Sequence, residues 1–382
     1  KFLMPELHKV LYNKINIKLL SVGGHHTIIL SKDHNVYTCG MNSFGELGQG
    51  DNKSRYNFEL VKTLEPKKST FISCGYSFSS VINDGNIYSC GCGANGRIAN
   101  YDDEDSNIFQ NCNIYKRDKN KFLKVQSGSV HQVALSVDNY LYSCGHNESN
   151  GHDMICGVDL SCFKKISYLD NIKFIQISIN YAGYHTLALT ASGLVYSWGH
   201  NRVGQLGLGH NKLKIYRPLL VKSLSDKTIK FISAGWGHSA VLDINNHLYL
   251  CGRNTSGQLS FDKYECLINK QDQKYNPYFT RFTDHNVKLV RCGFDQTNII
   301  TVNDRLFAFG NNNKGKLGCD EDVEKYEIQE SFNSVDTIST DNFTIIITCL
   351  LYTSPSPRDQ RGSRMASYCL KKKGGGGGGG GG

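Results

Sequence analysis

The chain has 382 residues, a formal charge of +9 and 39% apolar residues. That apolar share is too high for a disordered chain, and no apolar run approaches the ~18 residues of a membrane span. The length allows two or three ordinary domains or one large β architecture. The basic balance leans on the last residues: Arg358, Arg361, Arg364 and Lys371–Lys373 stand there against Asp359 alone. Without residues 349–382 the charge is +4, a poor signal for nucleic acid.

The first unit opens with Ser21–Leu30 (SVGGHHTIIL), turns at Lys32–Asn35, and continues as VYTCG to Gly40. Gly45 and then Leu47 follow, and a polar loop leads to an outer strand. This order recurs about every 54 residues, the mark of a repeat architecture. The strand-ending glycines are Gly40, Gly91, Gly145, Gly199, Gly252 and Gly310. Five residues beyond lie Gly45, Gly96, Gly204, Gly257 and Gly315, with Asn150 in the third copy. Glycine, and next best Asn, tolerates φ > 0, so a tight left-handed turn is expected there, with Asn150 filling the role in copy three. Upstream, His26, His131, His185 and His238 share one place, taken by Phe78 and Gln296 in copies two and six. Short β-branched and aromatic runs dominate, and no segment holds a helical period. Each unit reads as strand, tight turn, strand, strand, polar loop, outer strand. At this length per unit a four-stranded propeller blade is expected rather than a β-solenoid coil.

The motifs resemble those of the RCC1 repeat family. Ile232–Leu242 (ISAGWGHSAVL) matches its Gly-x-x-His signature, and Gly45–Gly50 (GELGQG) and Gly204–Gly209 (GQLGLG) match its second hallmark. The resemblance covers residues 1–348 and implies an all-β, seven-bladed RCC1-type propeller. The seventh blade is expected to be incomplete: Asp336–Thr348 starts another unit, with Thr344 at the His place. Pro5–Leu11 resembles the outer strand Pro218–Leu224 and is expected to close the ring. The chain opens at Lys1, so truncation at both ends is expected. Residues 349–382 read as a separate, disordered artefact: Cys349–Asp359 resembles the in-frame translation of a sequencing adapter, and Gly374–Gly382 is a poly-Gly run.

Cys39, Cys90, Cys144 and Cys251 share a place that holds Trp198 and Phe309 elsewhere, which marks a buried apolar position. No Cys pair has zinc spacing, and neither a Walker loop nor a Ser-His-Asp set appears. Neither metal, cofactor nor catalytic residue is therefore expected. The repeated histidines stand too far apart around a ring to share one ion, and read as structural hydrogen-bonders. The acidic run Asp102–Asp105 and the basic run Lys116–Lys121 read as solvated loops.

The residues inside the Gly-x-x-His turns should project on one face. They include His25, Tyr76, Tyr184, Trp236, Phe294 and Asp295, the candidate interaction face. Aromatic residues serve as binding anchors, so the expected function is a protein-binding scaffold or regulatory module, monomeric, cytoplasmic or nuclear. The resemblance implies two alternatives. One is guanine-nucleotide exchange on a Ran-type small GTPase, for which only Asp295 and His25 match the acidic and His turn residues. The other is the regulatory propeller of a HECT-type ubiquitin ligase. Only Trp236 matches the several turn tryptophans of plant UV-sensing relatives. Neither a membrane nor a nucleic-acid partner is indicated.

Overall fold

The computed structural model describes residues 15–64, 68–112, 120–151, 159–260, 267–268, 274–282, 286–312, 317, 325–328, 334–339, 344–350 and 364–370. The chain forms successive antiparallel meanders, each strand paired with the next. In the first, Ile17–Val22, His26–Ser31, Val36–Gly40 and Arg55–Leu60 lie side by side in that order. Five more such sheets follow, and the fifth blade of the six gains an extra strand, Leu267–Ile268, outside Lys274–Phe282. The first strands of successive sheets touch one another, so the sheets stand radially around an axis. This is an all-β propeller.

The core lies between blades. Ile28 and Leu30 of blade 1 pack with Ile72, Val81 and Phe109 of blade 2, and Leu187 and Leu189 of blade 4 pack with Ile232 and Val241 of blade 5. The second strand of a blade has neighbours on both faces, which is why Phe78–Asn83, His131–Ser136, His185–Thr190 and His238–Asp243 are buried at every residue. The inner strand has an open edge whose N–H groups need partners. Serines of the preceding blade supply them: Cys74 N donates to Ser21 Oγ, Ser127 N to Ser73 Oγ, Ala234 N to Ser178 Oγ and Cys292 N to Ser233 Oγ, at 2.9–3.0 Å.

Two expectations are corrected. The structure shows six blades rather than the seven expected, of which the last was expected to be incomplete. After the sixth comes a three-stranded sheet of Ser334–Ser339, Thr344–Leu350 and Arg364–Leu370. Its third strand comes from the stretch expected to be disordered; the edge of Thr344–Leu350 offers unpaired backbone groups that any extended segment can satisfy. Pro5–Leu11 lies outside the described residues, as does Gly315. Second, the left-handed residue of copy three is Gly151 (φ +85), not Asn150, which ends a one-turn helix over Asn147–Asn150. A Cβ at Gly151 would stand 2.7 Å from Trp198 Nε1, so the indole fills the space a side chain would need. Among the described residues no helix is long and apolar enough to cross a membrane.

Candidate protein-binding face

The Gly-x-x-His turns join first and second strands at one end of every described blade. Their backbones link blade to blade: Gly24 N donates to Tyr76 O, Tyr76 N to Gly128 O, Ser129 N to Gly183 O and Trp236 N to Gly293 O. A second set of bonds lies beneath. His26 Nε2 is 2.9 Å from Ser79 Oγ, His131 Nε2 3.0 Å from Thr186 Oγ1, His185 Nε2 2.9 Å from Ser239 Oγ and His238 Nε2 2.9 Å from Thr297 Oγ1. In each pair the hydroxyl belongs to the following blade.

The hydroxyl's own proton is committed. Ser79 Oγ donates to Glu46 O, Ser239 Oγ to Gln205 O and Thr297 Oγ1 to Gln258 O, at 2.6–2.8 Å. These hydroxyls must therefore accept from Nε2–H, which fixes the neutral tautomer. Burial pushes His26 down to about 4 and His131, His185 and His238 to about 3. At neutral pH the histidines are uncharged clamps between blades.

Where blade 2 has Phe78 instead of His, blade 3 has Gln132 instead of a hydroxyl. Gln132 accepts from Ser80 Oγ at 2.7 Å and donates to Arg97 O at 2.5 Å. The paired substitution keeps the boundary bonded by another route.

On the surface of this face the turn residues pair with neighbours, some across blade boundaries and some within a blade. His25 is exposed and meets Tyr76 edge to face at 6.1 Å. Tyr184 stacks on His200 at 4.9 Å and its hydroxyl accepts from Ser129 Oγ at 3.2 Å. Trp236 stacks on Phe294 at 4.6 Å, and Arg253 lies over the indole at 4.8 Å. Asp295 is 9% exposed and pairs with Arg253 at 3.6 Å. The expected six residues thus occupy three sectors, and only the sector of blades 1 and 2 stands open. Tyr76 is 42% exposed there; at the same end of blade 1, Met41 is 45% and Phe44 41% exposed, two residues the turn motif does not reveal.

Met41, His200 and Arg253 hold one repeat place, immediately after a strand-ending glycine. Their N–H groups bond the turn carbonyls of His25, Tyr184 and Gly237, which brings their side chains to this face. That register was available in the sequence. A buried Asn two residues after the same glycine was available too: Asn42, Asn201, Asn254 and Asn312 each accept, through Oδ1, the N–H of Leu47, Leu206, Leu259 and Leu317.

The family profile of the RCC1-like domain matches residues 2–348. The chain belongs to the RCC1-like domain family. This RCC1-like chain is 28% identical over 80% of its length to the Ultraviolet-B receptor UVR8 of Arabidopsis thaliana and covers 68% of that protein. It is 26% identical over 84% of its length to the probable E3 ubiquitin-protein ligase HERC6 of Homo sapiens, of which it spans 31%. It is 28% identical over 91% of its length to the X-linked retinitis pigmentosa GTPase regulator of Canis lupus familiaris, of which it spans 38%. Human WBSCR16 shares the fold with a TM-score of 0.73 at 19% identity, covering 88% of this chain and 87% of that one. Prp20p of Saccharomyces cerevisiae does so with a TM-score of 0.73 at 18% identity, covering 87% and 82%.

Proposed function

We propose that this RCC1-like chain is a protein-binding propeller without chemistry of its own, and that partners dock on the face of the Gly-x-x-His turns. One observation carries the reading. In blades 1 and 2 that face holds Met41, Phe44 and Tyr76 open to solvent on a base braced by inter-blade bonds, beside exposed His25. Rigid, exposed aromatic and Met side chains are what binding anchors require. In blades 5 and 6 the equivalent side chains cover one another. Quantitative capture of bound proteins by wild type, Tyr76→Ala and Phe44→Ala tests the reading. Selective loss of partners at unchanged melting temperature supports it; identical partner sets overturn it.

Exchange on a Ran-type GTPase is the second reading, and exposed His25 favours it. The turn acid Asp295 argues against it, since Arg253 already holds its carboxylate. Nucleotide release from a Ran-type GTPase decides between them, with no acceleration expected. A longer reading frame carrying a HECT sequence makes the propeller the regulatory module of a ligase and leaves the docking face the same. We read the whole as a monomeric ring of seven units, cytoplasmic or nuclear, with residues 349–382 of adapter origin. The pairing of Ser334–Ser339 with Thr344–Leu350 after blade six supports the seventh unit. A genomic exon encoding residues 349–382 overturns the adapter origin.

A further inference from the structure

The end of the ring opposite the Gly-x-x-His turns has a charge pattern of its own. Each inner strand begins at that end, paired to the residue that closes the second strand, as in Ile17 with Ser31. Every one of the six complete blades places a lysine beside the first residue of its inner strand. Lys18, Lys230 and Lys288 follow it; Lys68, Lys121 and Lys173 precede it. All six are exposed.

The amines are held in place by the hairpin turns at the same end. Lys121 Nζ donates to Asp84 O at 2.8 Å, Lys173 Nζ to Asp138 O at 2.8 Å and Lys230 Nζ to Asn246 Oδ1 at 2.5 Å. Lys288 Nζ pairs with Asp304 Oδ1 at 2.7 Å. An ammonium has three donors, so one such bond orients it and leaves donors for a ligand. The hairpin aspartates are fewer than the lysines around them, and the end is net basic. Between the lysines stand exposed aliphatic side chains: Leu123 at 47%, Val137 at 47%, Ile175 at 44%, Ile244 at 56% and Val302 at 44%.

We propose that this lysine-ringed mouth of the propeller axis is a second docking surface, which takes an acidic, aliphatic-rich segment of a partner protein. Charge complementarity selects an acidic occupant and speeds its encounter. The aliphatic side chains between the lysines select a protein segment over a nucleic acid, because they offer a phosphate backbone nothing. The surface is separate from the turn face and stands or falls without it.

The test uses the full chain and a fluorescent sixteen-residue peptide alternating Glu with Leu and Ile. Binding is followed by anisotropy, against oligo-dT and the same peptide with Lys in place of Glu. The acidic peptide is expected to bind, more weakly as salt rises, and the lysine peptide not to. Lys230→Gln with Lys288→Gln is expected to weaken binding about tenfold, as charge pairs at interfaces do. Lys53→Gln with Lys212→Gln, two exposed lysines in loops at the other end, is expected to leave it within about twofold. Equal loss in both double variants, or none in the first, overturns the site. Equally tight binding of oligo-dT overturns the choice of a protein segment. Melting curves confirm folding, and Lys230→Arg with Lys288→Arg should retain binding.

Discussion

His238 Nε2 lies 2.9 Å from Thr297 Oγ1 across the boundary between blades 5 and 6, and Thr297 donates onward to the Gln258 carbonyl of blade 5 at 2.8 Å. The hydroxyl of one blade is thus clamped between a side chain and a main-chain group of its neighbour. Thr297→Val keeps the shape and removes both bonds. It leaves the Nε2–H of His238 buried without an acceptor, at a cost of about 1–3 kcal/mol. His238→Gln should cost less, because Gln296 fills the equivalent place in blade 6. Urea denaturation midpoints of the two variants check the order.

The clamp histidines predict loss of stability in mild acid. Their folded pKa values, about 3 to 4, lie below the ordinary 6.5. The unfolded chain therefore binds protons that the folded chain does not. Stability is full above pH 6.5 and falls as pH drops from there towards the folded values. Each histidine contributes up to about 1.4 kcal/mol per pH unit in that window. Melting temperature measured from pH 7.5 to 5 should fall, and His238→Gln should flatten the slope by one proton's worth. An unchanged slope in that variant would mean that His238 carries a proton in the fold.

Gly204 has φ +72, and a Cβ there would stand 2.6 Å from Pro277 Cα on the outer strand of the next blade. Gly204→Val meets both backbone strain and a main-chain clash, so its cost should exceed the ~1–3 kcal/mol of strain alone. In copy three the sensitive position is Gly151. Gly151→Ala should lower the melting temperature more than Asn150→Gly, which only places a glycine in a single helical turn.

The aromatic residues of the turn face should divide by exposure. Trp236→Ala empties a stack between Phe294 and Arg253 and, the indole being half-buried, should cost ~1–3 kcal/mol of folding stability. Tyr76→Ala removes a side chain already 42% exposed and should cost less than ~1 kcal/mol. The same change should weaken partner binding by ~2 kcal/mol or more. Paired thermal melts and binding measurements separate the two roles.

The cysteine place shows where residue type misleads. Accepting Cys, Trp or Phe, it reads as apolar. In the fold Cys90 donates to Glu46 O, Cys144 to Arg97 O and Cys251 to Gln205 O, and Trp198 Nε1 reaches Ser149 O at 3.1 Å. Cys and Trp share a donor as well as bulk, and each uses it on the preceding blade. Phe309 has no donor and fills the place by volume alone. Cys90, Cys144 and Cys251 are fully buried, which pushes their thiols well up and leaves them unreactive at neutral pH.

The repeat, its period, the all-β class and all but one of the turn positions followed from the sequence alone, because they rest on local demands: φ > 0 at Gly40 or Gly204, alternation in short strands, hairpin residues between them. Side-chain roles across blade boundaries did not follow. His26 and Ser79 are 53 residues apart, as are Ser21 and Cys74, and a period of that length is shared by every position in the unit. Periodicity therefore cannot say which positions touch. The radial stacking of blades decided it, by bringing the second strand of one unit against that of the next. The same stacking decided that Trp236 and Tyr184 lie partly covered by their neighbours while Met41, Phe44 and Tyr76 stand open, since exposure on a ring depends on the side chain supplied by the adjoining blade.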